Sequence, residues 1–466
     1  MLDPLAVVKV RGGEAAAQAT AATTPRPNVD FVQGPVLAPS RVTSIGGAFA
    51  GYAEGVDAMA ANAAAVAVRP PYSTTWFDHD LSVGLSFPAA LSGDDFDNDG
   101  QVDGSYEHFF LLTLGASVQA GPFGAGVLGD FQQFQLRSTA AATAPLKATL
   151  GRVHALAGYT LLDGQLSVGG GLRVVTMSVD AATGLAGTNV FWMAGAAPEI
   201  GVLLRPDYAP WRIGLTYRAP VSTSLGGLPA GTPPLGFDPP GSIRMPWEIE
   251  TGFALQAGAR PLNPHWIDPR EHARSLRRDL DLDRSIRHAA AEAELAAMDN
   301  PQARAKRSKE LAEHERRTAQ SEDEQWARSD ELLLADRQAR YRNWPRARLT
   351  VVGEVLITGP SSNAVSLQSL FAGAAKTSGE SVSWSPRIGL EGEPVIDWVQ
   401  VRIGSYIEPS RIRAGFARQH FTSGFDVRLF EWNLFGLAPH QIWRLTAMMD
   451  LAPLYQSFGL SIGAWH

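Results

Sequence analysis

The 466-residue chain contains no cysteine. Disulfide scaffolds, thiol nucleophiles, iron–sulfur clusters and thiolate zinc sites are thereby excluded together. Charge is also sparse. Asp, Glu, Lys and Arg make up 19% of residues, against roughly 25% in soluble domains. A basic face is missing as well: with a net charge of −7 and a pI near 5.8, nothing suits the neutralisation of phosphates, so no nucleic-acid partner is expected. Long apolar runs are absent too. The longest, Ala58 to Val68, is interrupted by Asn62 and falls short of the roughly 20 residues that a spanning helix needs. Met1 to Pro35 lacks the apolar stretch of a secretory leader, so the start is expected to be shortened or misassigned.

What is present is strand periodicity. From Arg212 to Ala219, Arg212, Gly214, Thr216 and Arg218 fall on one face and Ile213, Leu215, Tyr217 and Ala219 on the other. The same split recurs from Arg346 to Ile357 and from Trp398 to Ile407. A soluble sandwich alternates too. About fourteen such segments can be marked, and most exceed the 5–6 residues usual for soluble strands, matching the 9–11 that cross a bilayer obliquely.

The connections separate the two readings. Links after even-numbered segments are tight, as at Ala120-Gly121-Pro122, Leu162-Asp163-Gly164 and Glu393-Pro394-Val395. Links after most odd-numbered segments are long and rich in Gly, Pro, Ser or Asp, as at 90–104, 138–146, 180–188, 224–242 and 359–380. Outer-membrane barrels sort their loops this way, with short periplasmic turns and long outer loops. In lipid every backbone N–H and C=O must be paired internally, so a chain without a hydrophobic helix must close its sheet. The pattern therefore predicts an all-β fold, a transmembrane antiparallel barrel. Arg173, Arg212, Arg218, Arg348, Glu354, Arg402 and Arg444 are expected in a wet lumen, and Trp76, Trp192, Trp211, Trp247, Trp344, Trp398 and Trp443 in interfacial girdles.

One region departs from this. Between Asp268 and Trp344, 33 of 77 residues are charged, against 54 of the other 389. Its Ala, Glu and Arg content favours helix, Glu313 and Arg317 are spaced for an i,i+4 pair, and Pro301 is expected to divide it. It follows an even-numbered strand and so belongs on the periplasmic side. It reads either as a solvated helical hairpin or as a docking element for a periplasmic protein through Leu332, Leu333 and Leu334.

The stretch Arg41 to Ala64, RVTSIGGAFAGYAEGVDAMAANAA, resembles the opening of the FadL/TodX family of outer-membrane transporters of long-chain fatty acids and other hydrophobic compounds. A basic residue, a small gap, Gly-Gly-Ala and an acidic spacer are in place, although the Asn-Pro-Ala box has Ala63 for its Pro. The resemblance implies a monomeric, non-enzymatic barrel of the bacterial outer membrane. In it, 31–72 would be a hatch plugging the lumen and a hydrophobic small molecule would leave sideways into lipid. The chain then divides into a poorly ordered extension (1–30), the hatch (31–72), strands 1–8 (73–262), the insert (263–345) and strands 9–14 (346–466). Arg41, Gly46, Gly47, Phe49, Met59 and Asn62 are the expected ligand and plug residues, with Asn62 tying its own backbone. The alternative is a non-transporting scaffold for secretion or surface assembly, with the insert as its handle.

Three local motifs were weighed for chemistry. Asp95, Asp97, Asp99 and Asp103, with Gln101 between the last two and Gly at 100, follow the spacing of a calcium loop, without an acid at position 12. It reads either as a calcium site or as an acidic solvated loop. Gly459-Leu460-Ser461-Ile462-Gly463 has nucleophile-elbow letters but no room for the helix that an elbow requires. Gly124 to Gly129 has dinucleotide-loop letters without a helix to follow.

Overall fold

The alternation becomes a closed antiparallel barrel in the computed structural model, which describes residues 26–70, 73, 75–88, 95–100, 102, 106–136, 146–181, 188–225, 239–266, 268–343, 348–371, 376–412, 416–434 and 438–464. Fourteen strands close it. They are β1 (Phe77–Pro88), β2 (Tyr106–Ala120), β3 (Phe123–Leu136), β4 (Leu146–Leu161), β5 (Leu166–Ala181), β6 (Thr188–Leu204), β7 (Trp211–Arg218), β8 (Glu248–Gly258), β9 (Arg348–Thr358), β10 (Ser383–Val395), β11 (Val399–Glu408), β12 (Arg418–Leu434), β13 (Ala438–Ala452) and β14 (Tyr455–Ala464). Closure runs from β14 to β1, with Ser457 opposite Pro88 and Ala464 opposite Leu81.

The register obeys the face assignments made from the sequence. Along β7, Trp211, Ile213, Leu215 and Tyr217 point outward while Arg212, Gly214, Thr216 and Arg218 are buried inside. The outer surface continues around the wall with Leu85, Val127, Leu172, Phe253, Ile403 and Leu460 exposed. A closed ladder wrapped in apolar side chains is what hydrocarbon demands, because it leaves no backbone group unpaired at an edge. Trp192, Trp211 and Trp398 stand exposed near strand ends, as girdles require. Among the described residues no helix is long and apolar enough to cross a membrane.

Two segments end sooner than alternation suggests. Alternation alone would carry 211–223 and 243–258 through as single strands, but Pro220 and Pro246 lack the N–H that a wall ladder needs, and the chain leaves the wall there. Val221–Ser224 and Ser242–Met245 instead pair with each other in a five-stranded sheet that also takes Asn28–Asp30, Ala364–Ser366 and Thr377–Ser378. Asn28–Asp30 pairs in parallel on both edges, so the last residues of the expected disordered extension are built in. Asp30 fixes this strand, accepting hydrogen bonds from Ser361, Ser378 and Arg411.

The insert forms a separate compact unit with residues 72–77. Its helices are α1 (Pro269–Ala296), capped by the Asp268 side chain, and α2 (Pro301–Asn343), whose first turn is capped by Asn300. Pro301 divides the two, as expected. Charge holds them together: Arg284 reaches Glu322 and Asp323 at 2.8 Å each, and Arg287 reaches Glu322 at 2.8 Å. Leu332 is exposed, and the side chains of Leu333 and Leu334 lie outside the described residues.

An outward wall residue should tolerate charge poorly. Ile403→Lys, near the middle of β11, is expected to cost about 2–4 kcal/mol, whereas Leu332→Lys on the insert should cost under about 0.5 kcal/mol. Equilibrium urea unfolding in lipid vesicles measures both.

Candidate functional site: the hatch and the passage above it

The barrel interior is divided along its axis. Toward the long loops the inward faces of β2 to β6 are apolar: Phe109, Leu111, Phe134, Leu150, Met177 and Phe191 pack with Val29, Phe31 and Leu37 of the N-terminal segment, while those of β11 to β13 carry a buried ionic cluster of Glu408, Arg418, His420 and Asp450. Toward the short turns the inward faces are ionic, and the hatch fills the space between them.

The hatch runs from the small sheet down to Arg69, and almost every residue from Ser40 to Val68 is buried. It has little regular structure, so its backbone polar groups need partners from the wall. Glu354 of β9 supplies two, accepting from the Phe49 and Ala50 amides at 2.8 and 2.7 Å. Arg387 of β10 joins Glu354 at 2.8 Å and donates to the Gly47 carbonyl at 3.1 Å. Arg218 of β7 donates to the Ala60 and Ala61 carbonyls and pairs with Glu250 of β8. Arg212 donates to the Tyr52 carbonyl and pairs with Glu54 at 2.9 Å. The Tyr52 phenol, pushed up from its ordinary value by burial, stays neutral and donates to Glu391 at 2.7 Å. Glu391 is held in turn by Arg348 and Arg402.

These contacts correct the expectation of a wet lumen. Arg173, Arg212 and Arg402 are at most 1% exposed, each with a carboxylate partner. Burying a guanidinium unpaired would cost several kcal/mol; the wall supplies a carboxylate for Arg173 and Arg402 and the hatch supplies Glu54 for Arg212.

The structure places the expected plug residues in the hatch, where they hold its shape. Gly46 and Gly47 both have φ above +70°, a conformation costly for any residue with a Cβ. Arg41 pairs with Glu54 and lies over the Phe49 and Tyr52 rings. Asn62 ties its own backbone as expected, accepting from the Ala64 amide, and also donates to the Ala50 and Val202 carbonyls. Met59 is fully buried.

A cavity of about 110 Å³ lies where the hatch meets the apolar storey. Of the six plug residues, Gly47 is the one that lines it. Val36, Leu37 and Leu356 form an apolar wall, and Arg152, Arg173 and Arg387 an ionic one. Arg152, which the sequence reading did not select, donates to the Leu37 carbonyl at 2.6 Å.

Wall glycines were also missed. A Cβ at Gly214 would land on the Ala50 carbonyl, at Gly124 on the Val66 carbonyl and at Gly169 on the Ala63 carbonyl. The hatch backbone presses directly on the wall at these points. The available signal was glycine at inward positions of otherwise alternating strands.

Asp95, Asp97 and Asp99 converge, with carboxylate oxygens within 4.8 Å of one another. Asp95 accepts from the Asp99 and Gly100 amides and Asp97 from Ser366, while Lys376 forms an ion pair with Asp99. Gln101 and Asp103 lie outside the described residues. Ser461 sits inside β14 and Gly124 to Gly129 inside β3, so neither motif forms the turn its chemistry requires.

No protein-family model and no curated sequence matches the chain. Among solved structures, it is similar to the Pseudomonas putida toluene transporter TodX at 10% identity and TM-score 0.47, covering 92% of this chain and 98% of that one. It is similar to a Pseudomonas aeruginosa FadL homologue at 11% identity and TM-score 0.43, with 95% and 98% coverage. It is also similar to the CymD monoaromatic hydrocarbon channel at 10% identity and TM-score 0.43, with 93% and 97% coverage.

Removing the Glu354 anchor should loosen the hatch without opening the barrel. Glu354→Leu leaves the Phe49 and Ala50 amides without their acceptor, a loss of about 2–4 kcal/mol. Because the chain has no cysteine, Ala48→Cys gives a single label site. Maleimide labelling there is expected to speed up at least tenfold in the Glu354→Leu background while the unboiled protein keeps its compact gel mobility.

Proposed function

We propose that this chain is a bacterial outer-membrane barrel, acting as a monomer, that passes hydrophobic small molecules inward without chemistry. The single observation that carries this reading is the apolar storey at the long-loop end. A pore for hydrated solutes keeps a polar lumen. Here the β2–β6 side of the entrance half of the interior is built from Phe109, Leu111, Phe134 and Phe191. An oily molecule entering it would leave water and meet side chains of its own kind, a gain of about 25 cal/mol per Å² of buried apolar surface. The cavity beneath has one apolar wall and one of mixed charge, where Asp130, Glu248 and Glu250 stand among Arg152, Arg173 and Arg387; it suits a molecule that joins an apolar body to a polar head, such as a long-chain fatty acid.

The hatch blocks a straight path, and a sideways exit fits the wall. β7 ends at Arg218, paired with Glu199, but β6 runs on from Pro198 back to Thr188; over that stretch β6 has no β7 partner, and Val221 to Thr223 of the small sheet come against it at Gly195. The exit in this proposal lies beside that half of β6, where an apolar ligand would pass directly into hydrocarbon.

The scaffold reading rests on the charged helical hairpin, whose exposed Leu332 would be the contact for a periplasmic protein. One experiment distinguishes the two. The purified barrel in lipid vesicles is expected to bind radiolabelled oleate or toluene saturably, and a form lacking 268–343 should bind as well. Absence of binding by both ligands, with capture of a periplasmic protein lost on deleting the insert, would replace transport with scaffolding.

A calcium ion at Asp95, Asp97 and Asp99 also belongs to this proposal, with Lys376 as its competitor. Calcium titration is expected to raise the melting temperature of the Lys376→Ala variant by a few degrees and that of the unaltered chain by less. No shift in either would leave Lys376 as the cluster's own counter-ion.

A further inference from the structure

The bonds that pin the hatch reach mainly to one arc of the wall, β6 to β12. The opposite arc, β14, β1 and β2, has a different character. Its inward polar atoms are buried and close no hydrogen bond of standard geometry: Ser461 Oγ on β14, Ser82 Oγ on β1, and Thr113 Oγ1, Ser117 Oγ and Gln119 Oε1 on β2. All are at most 3% exposed. Facing them from the hatch is Asp57, 1% exposed, with neither carboxylate oxygen closing a hydrogen bond of standard geometry. Ser82 stands beside it. The turn carrying Asp57 rests on β2 and its neighbour β3, since a Cβ at Gly115 would touch Val56 and one at Gly126 would touch Met59.

These groups form a continuous row. Ser461 is opposite Gly84, and a Cβ at Gly84 would meet both Thr113 and Ser461. Thr113 is opposite Asp130 and Asp130 opposite Arg152; Asp130 and Arg152 line the cavity. In the other direction Ser117 and Gln119 share the Thr113 face of β2 and lead to the Ala120–Phe123 turn. The row thus runs from the cavity, past Asp57, to the short-turn end of the barrel.

A buried hydroxyl or carboxylate without a partner is rare and costly, and a row of them is tolerated where water completes their bonds. Asp57 and Asp130 put two carboxylates on this row, with Asp80 beside Asp57, and the guanidiniums near them are those of Arg41 and Arg152. We propose that the seam between the hatch and β14–β1–β2 is a hydrated file that conducts small monovalent cations past the hatch, with the Asp57 carboxylate as its cation site. Carboxylate, hydroxyl and amide oxygens together can replace part of a sodium or potassium hydration shell, and binding by one charge is weak enough for release. This route is separate from that of the apolar ligand, and its test reads a different quantity.

The test uses the full-length protein in planar lipid bilayers under a potassium chloride gradient. The expected result is a small conductance with a cation-directed reversal potential. Asp57→Asn should move that potential to within a few millivolts of zero, and Ser82→Ala with Thr113→Val should lower conductance at least threefold while leaving its sign unchanged. Each variant is first checked for the heat-dependent gel shift of a closed barrel. Burial pushes the Asp57 carboxyl up to about 6, with Arg41 of the hatch, Asp80 of β1 and Asp426 of β12 the charged groups facing it. The protonated form gains below that value, so cation preference should weaken as pH falls from 7 to 5 and should not do so in Asp57→Asn. Conductance no greater than that of bare lipid, or a reversal potential unchanged by Asp57→Asn in a folded barrel, would overturn the proposal.

Discussion

Pairing every backbone amide without help from water is the constraint from which the rest of this structure follows. In hydrocarbon an unpaired N–H or C=O costs several kcal/mol, so the sheet that begins at β1 returns to it through β14. Closure then creates an interior too wide for wall side chains alone to fill, and the chain fills it with its own N-terminal segment. That segment is irregular, so it carries many backbone groups that a helix or ladder would have satisfied. Glu354, Arg218 and Arg212 satisfy them from the wall. The charged interior is thus a consequence of the plug, and the plug a consequence of closure.

The same logic explains why wall charges come in opposed sets. Arg402 lies between Glu391 and Asp426 at 2.6–2.7 Å, and Glu391 also binds Tyr52 of the hatch. Removing either partner would strand a buried charge. Such a network fixes the hatch in one position more firmly than apolar packing of equal area, because its geometry is directional. Wall glycines add to this by letting carbonyls such as that of Ala50 come against the wall itself.

Much of this was legible in the chain. Period-two alternation found all the wall strands, because the oil–interior boundary imposes it at every residue. Loop parity sorted the connections into a short-turn end and a long-loop end, and charge density marked the insert. The hatch was legible through Gly46, Gly47 and Asn62, whose backbone roles depend on residue type alone. Other features were not. Pro220 and Pro246 end wall pairing and hand their flanking residues to a sheet whose other strands come from residues 28–30 and 364–378, a long-range choice that local pattern does not encode. The cations inside were identifiable from alternation, but their pairing was not, since Glu248, Glu250 and Glu391 find their partners through the register of neighbouring strands. Arg152 went unselected for the same reason: its place against Leu37 depends on where the hatch comes to rest.

The split of the interior into an apolar storey and an ionic one follows from one further step. A wall strand can offer either kind of side chain inward, because only its outer face is fixed by lipid. Where the neighbour is an irregular backbone rich in amides and carbonyls, charge is the better complement. Where the neighbour is the apolar face of Val29, Phe31 and Leu37, apolar side chains are. On β5 the change occurs within two residues, between Arg173, which pairs with Glu248, and Val175, which joins the apolar core. The cavity sits at that change, so whatever enters it meets hydrocarbon on one side and paired arginines and carboxylates on the other.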